Sequence, residues 1–226
     1  MSSDEVLEGL RREARAAHAE TAQWVAAVLR QRIADGSLTA GTKLPEESFR
    51  EALGVSRNTL REAFATLHAE RVVTRIPNRG VFVAHPTAED VREIYRVRRL
   101  VEPAAVLWAP RLDVAALAAI VHRGRAAVTA QDVPGMAGAN QDFHRTIVTA
   151  SGSERLEALM DQVLAEMRLV FAAMGWDPRF HAPYVEGNER IVELLESGDR
   201  SRAAEYLEEY LGRAEKQLLE AVETQG

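Results

Sequence analysis

With 226 residues, 46% of them apolar and 27% charged, the chain is too long for one small module and apolar enough to bury a core, so two domains are expected. Cysteine is absent, which excludes disulfides, thiolate catalysis and cysteine-type zinc sites and suits a reducing cytoplasm. The polar, charged start shows no signal peptide, and no apolar run approaches the ~18 residues needed to cross a bilayer, so a cytoplasmic protein with no membrane partner is expected.

The net charge of −6 divides unevenly along the chain. Residues 20–84 carry nine Lys/Arg against seven Asp/Glu, whereas residues 85–226 carry sixteen against twenty-three. The first part therefore holds the basic surface that a polyanion would favour. Residues 1–19, rich in Ala, Glu and Arg, read as a polar tail, mobile or loosely helical.

Val25, Val28, Leu29 and Ile33 form a helical stripe that ends near Gly36. Leu44 to Leu67 then reads as two short helices joined by a tight turn at Gly54-Val55-Ser56, a helix-turn-helix. Ser56 caps the second helix, and Leu60, Phe64 and Leu67, at i, i+4 and i+7, form its core face. Asn58 and Arg61 point away from that face, with Arg57 on its flank. A recognition helix meets base edges at its N-terminal end, where Arg pairs with guanine and Asn with adenine. Arg50, Ser56, Arg57, Asn58, Thr59 and Arg61 are the candidate DNA contacts of the two helices. The competing interpretation is an ordinary solvated helix face.

The next segment argues against that competitor. Residues 72–76 and 81–83 are β-prone runs flanking Pro77-Asn78-Arg79-Gly80, which gives a hairpin wing with a basic tip. Arg75, Asn78, Arg79 and Gly80 are its candidate contacts to phosphate or the minor groove. Residues 20–84 are thus expected to be a winged helix-turn-helix that binds double-stranded DNA.

Residues from about 21 to 84 resemble the winged-helix domain of the GntR family of bacterial transcription regulators. The matching pieces are Gly36-Ser37-Leu38, Gly41-Thr42-Lys43-Leu44-Pro45, Val55-Ser56-Arg57, Leu60-Arg61-Glu62-Ala63 and Gly80-Val81-Phe82-Val83. The resemblance implies a homodimer on a palindromic operator, with repression released by a ligand.

A boundary falls at His85-Pro86-Thr87, and beyond it β signal is scarce. Six amphipathic segments, about 88–109, 113–130, 134–151, 153–175, 182–197 and 200–223, predict an all-helical bundle over residues 85–226. The expected fold class is mainly α: a winged helix-turn-helix with a small β-hairpin, then an all-α bundle.

Polar residues interrupt four apolar stripes of that bundle: Arg98 beside Val91, Ile94, Val101 and Ala105; Asn140 and His144 one turn apart; Asn188 beside Ile191 and Leu195; and Tyr210 beside Leu207 and Leu211. Burying each without a partner costs roughly 1–3 kcal/mol, so four helices each turning a polar group inward predict a shared polar cavity. Each has a plainer alternative: His144 as a satisfied core histidine, Asn188 as a helix cap after Gly187, Tyr210 with its hydroxyl at the rim, and Arg98 in a structural ion pair with Glu102. Arg99, Trp108, Met167 and Met174 are further candidates to shape the cavity, on helical faces that periodicity leaves ambiguous.

Residues from about 88 to 223 are similar to the FCD domain, the helical effector domain of the FadR-like branch, through Tyr95 to Glu102, Asn140 to His144, Ala150-Ser151-Gly152, Ile191 to Asp199 and Ala203-Ala204. Many such domains bind a metal such as zinc through one Asp and three His, positions that fall here on Asn140, His144, Asn188 and Tyr210. Only the histidine is kept. Neutral amides and a protonated phenol are poor zinc ligands, so no cofactor is expected, and a divalent metal such as zinc on His144 and Asn140 is the disfavoured alternative. Arg98, Asn140, His144, Asn188 and Tyr210 instead suit a small, anionic organic effector. Three alternatives stand beside this one: metal-dependent sensing through His144, a DNA-binding dimer without effector, and an enzyme with His144 as general base. The enzyme is disfavoured, since no Ser-His-Asp set or phosphate loop is evident.

Overall fold

The computed structural model describes residues 3–34, 37–173 and 177–223. Two compact units divide the chain, residues 1–85 and 86–226.

The first unit runs α1 (Ser3–Ala34), β1 (Lys43–Leu44), α2 (Glu46–Leu53), α3 (Arg57–Ala69), β2 (Val73–Ile76) and β3 (Gly80–Val83). The helix α1 begins at Ser3, so of the two expectations for residues 1–19, mobile or loosely helical, residues 3–19 take the helical one. The Ala, Glu and Arg residues of that stretch have high helix propensity. Gly36, where the sequence placed the end of the helix, lies outside the described residues. Ala22, Val25, Ala26, Leu29 and Ile33 of α1 are buried, as are Leu60, Ala63, Phe64 and Leu67 of α3, and the two helices pack together. Fully burying a large aliphatic side chain stabilises by roughly 1.5–3 kcal/mol, so this seam fixes where α3 sits. Arg30 adds a two-pronged bond to the Glu70 carboxylate, at 2.9 and 2.7 Å.

Between α2 and α3, Gly54 takes the left-handed conformation (φ 66°) that ends α2, and the Ser56 hydroxyl accepts from the Thr59 amide to start α3. The wing has a third strand that the sequence did not reveal, since β1 is two residues long. The antiparallel order is β1-β3-β2, with Lys43 opposite Phe82 and Leu44 opposite Val81. Asn78 at φ 60° and Gly80 at φ 111° make the tight hairpin end.

The second unit is helical throughout: α4 (Ala88–Trp108), α5 (Val114–Thr129), α6 (Val133–Thr149), α7 (Glu154–Ala173), α8 (Pro178–Glu196) and α9 (Arg200–Glu223). The six segments expected from periodicity are all present, with α8 starting four residues earlier, at a Pro pre-set for the first helical turn. Helix α4 opens with a reciprocal cap between Thr87 and Asp90. It packs along α9, while α6 contacts α4, α5, α7 and α8. The core includes Val91, Tyr95, Phe143, Ile147, Met167, Ile191, Leu207 and Leu211.

Candidate functional site: reading face and buried polar centre

In the first unit, the packing of Leu60, Phe64 and Leu67 inward leaves Ser56, Arg57, Asn58 and Arg61 exposed on α3. Arg50 on α2 lies beside them, and Arg75, Asn78, Arg79 and Gly80 are exposed on the wing. Thr59 is different: it is 2% exposed, and its hydroxyl lies 2.7 Å from that of Ser56 and 3.2 Å from the His18 ring. Its side chain faces α1, so it is corrected from a groove contact to a helix-start and packing residue. Periodicity alone did not reveal this, because the neighbour that covers it comes from α1.

The exposed polar residues of these two helices have acidic partners. Arg50 forks onto Glu47 at 2.6 and 3.3 Å, and Arg57 lies 3.8 Å from the same carboxylate. Arg61 Nε is 3.2 Å from both oxygens of Glu46, and the Asn58 amide donates to Glu62 at 3.1 Å. The hydrogen bond from Arg50 holds the Glu47 carboxyl below its usual range. At the wing, the Lys43 ammonium and the Arg79 guanidinium each lie 5.9 Å from the Phe82 ring centre. Lys43 is therefore a further basic residue of the wing, placed there by the pairing of β1 with β3.

In the second unit the structure brings Arg98, Asn140, His144, Asn188 and Tyr210 into one buried network. The Asn188 amide and the Tyr210 hydroxyl both donate to Asn140 Oδ1, at 2.9 and 3.2 Å. His144 Nε2 is 3.5 Å from the Tyr210 hydroxyl, and the two rings are stacked. Asn188 lies in the middle of α8, so it caps nothing. The hub is Glu102, fully buried on α4. One carboxylate oxygen accepts from Arg98 Nε and the other from His144 Nδ1, both at 2.6 Å. A carboxylate only accepts, so the His144 proton sits on Nδ1. The sequence reading gave Glu102 only as a structural partner of Arg98.

Burial alone would lower the pKa of Arg98, but the Glu102 carboxylate overrides it and keeps the guanidinium charged. Glu102 is likewise penalised by burial, yet Arg98 and His144 hold it below the usual carboxylate range. His144 is pushed down, mainly by burial and also by Arg98, against the opposing pull of Glu102. Burial pushes the Tyr95 hydroxyl up to about 12. Three buried polar atoms here have no hydrogen-bond partner among the described residues: Arg98 Nη2, the Tyr95 hydroxyl and Asn188 Oδ1. The Arg98 guanidinium stands 5.0 Å from the Tyr95 ring centre. Of the side chains with ambiguous faces, Arg99 pairs with Glu215, Met167 is buried, Trp108 is 79% exposed and Met174 lies outside the described residues.

Two measurable consequences arise here. A Cβ on Gly187 would sit 2.5 Å from Cδ2 and Cε2 of Tyr210, so Gly187→Ala is expected to cost about 1–3 kcal/mol by pushing the ring off Asn140, read in a urea titration. For pH, the unfolded chain takes a proton on His144 near its ordinary 6.5 while the folded chain resists it. Stability from this group is therefore lost as pH falls below about 6.5. Glu102 adds a second loss below its ordinary 4.5. Thermal melts from pH 8 to 3 should show both, and His144→Gln should remove the upper one.

The residues do not suit zinc. Glu102 takes His144 Nδ1, the Asn140 oxygen already accepts two donors, and the nearest cation is a permanent guanidinium. Among the described residues no three His, Cys, Asp or Glu side chains are grouped to hold a metal ion. No helix among them is long and apolar enough to cross a membrane.

Comparison with known proteins agrees with both units. Residues 21–83 match the bacterial regulatory proteins of the gntR family, and residues 93–213 match the FCD domain. The gluconate operon transcriptional repressor of Bacillus licheniformis is 30% identical over 179 residues, covering 77% of this chain and 72% of the relative. A crystal structure from Rhodococcus sp. RHA1, described as a GntR transcriptional regulator, is 39% identical with a TM-score of 0.82, covering 88% of this chain and 97% of that one. Escherichia coli McbR/YncC shares the fold at 21% identity and a TM-score of 0.75, covering 88% and 96%.

Proposed function

Because the chain belongs to the GntR family of transcription regulators and carries an FCD domain, we propose that it is a repressor that binds a palindromic operator as a homodimer and releases it on binding a small hydroxylated carboxylate. Repression is supported by the relative named as a gluconate operon repressor. The observation that carries the ligand is the buried guanidinium of Arg98, whose Nη2 has no partner. A carboxylate oxygen is the acceptor that two guanidinium N–H groups favour most. Asn188 Oδ1 lacks a donor, which a hydroxyl of the same molecule supplies. The Tyr95 hydroxyl can serve either group. An ammonium in place of the hydroxyl would bring a second buried cation close to Arg98.

A solid dimerisation domain without effector would leave these three atoms unsatisfied at roughly 1–3 kcal/mol each, which weighs against that alternative. Coupling to DNA follows from linkage. A ligand that favours one arrangement of the two readers changes operator affinity by its differential binding energy, typically 1–3 kcal/mol. Helix α4 carries Arg98 and Glu102 and begins at Ala88, directly after the boundary between the units.

The test is a melting-temperature screen with gluconate, other hydroxy acids and plain carboxylates, repeated after chelation. Hydroxy acids at 100 times their Kd should stabilise by about 2.7 kcal/mol with or without chelator. The Asn188→Leu variant should still bind operator but lose the ligand response. Stabilisation that appears only with added zinc refutes the metal-free site.

A further inference from the structure

The acids on the reading face are the unexpected feature of the first unit. Residues 46–69, which span both reading helices, hold three Arg against four Glu. A surface with that balance gains little from counterion release, which rewards net positive charge. Residues 70–85 hold three Arg against one Glu, so the wing is the part built for phosphate. The arginines of the helices are then better suited to base edges than to general attraction.

Within this face Glu47 occupies a particular place. It stands in the first turn of α2, with 58% of its side chain exposed. Its carboxylate lies between Arg50, at 2.6 Å, and Arg57, at 3.8 Å. Both partners are long, flexible side chains, and Arg57 is itself 67% exposed. A phosphate or guanine that draws Arg57 away would leave the carboxylate facing DNA. Most of what it would face repels it: phosphates, and the acceptor atoms of guanine and thymine. In the major groove only the amino groups of cytosine and adenine donate, and a lone carboxylate pairs best with the N4 amino group of cytosine.

Resting on the reading of the first unit as the DNA binder, we propose that Glu47 is a base-selecting residue. It accepts from a cytosine in the same half-site in which Arg57 reads guanine, and its like-charge repulsion rejects sites without that cytosine. The Arg50–Glu47–Arg57 cluster keeps the pair side by side before DNA arrives, so cation and anion reach the groove together.

The experiment is selection from a pool of randomised duplexes with the full-length wild type, Glu47→Gln and Glu47→Ala, followed by sequencing. The wild type is expected to enrich half-sites with a fixed guanine and, within a few base pairs, a fixed cytosine. Both variants should keep the guanine and lose the preference at the cytosine, and affinity for the wild-type site should fall by at least about tenfold. As a control, Glu51→Gln removes a charge 3.7 Å from Arg50 and should leave the motif unchanged. An unaltered motif in both Glu47 variants overturns the inference, leaving Glu47 a clamp on its two arginines and DNA binding intact. Failure of the wild type itself to enrich any sequence overturns the DNA-binding reading along with it.

Discussion

Replacing Glu102 with glutamine is expected to lower the unfolding free energy of the helical unit by about 3–5 kcal/mol, the usual loss when one partner of a buried ion pair is removed. Arg98 is 2% exposed and Glu102 and His144 are fully buried, so water cannot take over from the missing carboxylate. The amide keeps one acceptor but leaves the guanidinium without a counter-charge, and it can no longer accept from both Arg98 and His144 as an anion. Urea denaturation followed by circular dichroism measures the loss directly. Arg98→Met combined with Glu102→Leu should recover most of it, because apolar replacement of a whole buried pair is often neutral or stabilising by about 1–4 kcal/mol. The doubly substituted protein should then fold, bind operator and ignore the ligand. A loss under about 1 kcal/mol for Glu102→Gln would mean that the pair is solvated, and the anion receptor built on Arg98 would fall with it.

The Arg57→Ala substitution is expected to have the largest effect on DNA binding. One bidentate arginine–guanine contact contributes about 1–3 kcal/mol, and a two-fold dimer loses it twice, so operator affinity should fall by about 2–6 kcal/mol. Stability should change by no more than about 0.5 kcal/mol, since the side chain is 67% exposed and its acidic neighbour is 3.8 Å away. Arg61→Ala should weaken operator binding as well, although Arg61 must first leave Glu46. The wing residues provide the contrast. Arg75→Ala or Arg79→Ala should weaken operator and random duplex alike and reduce the salt slope by about one unit per phosphate contact. Fluorescence anisotropy on both duplexes at several salt concentrations separates the two behaviours. An Arg57→Ala protein that loses both equally would move Arg57 from base reading to phosphate binding.

The fold was largely legible because its signals are local. Pro110 lies between α4 and α5 and Ser197-Gly198-Asp199 between α8 and α9, Pro134 starts α6 in its first turn, and the i, i+4, i+7 spacing of Leu60, Phe64 and Leu67 gives the buried face of α3. Departures occur where the deciding partner is distant in sequence. Strand β1 exists only because Lys43 and Leu44 pair with Phe82 and Val81, almost forty residues on. Thr59 shares the polar start of α3 with Arg57 and Asn58, yet His18 covers it. In the second unit, periodicity found Arg98, Asn140, His144, Asn188 and Tyr210 as inward polar residues but could not show which atoms meet.

The sequence by itself determined the helix-turn-helix, the hairpin, the six-helix bundle and the polar positions within it, because periodicity, caps and turn residues act over a few neighbouring residues. Only the tertiary structure decided that Glu102 holds both Arg98 and His144, that Arg98 Nη2 and Asn188 Oδ1 are left without partners, and that Glu47 stands between two arginines. Hydrogen bonds and ion pairs depend on distances of a few ångströms between side chains on different helices. Those distances are set when the apolar faces pack, which no single segment encodes.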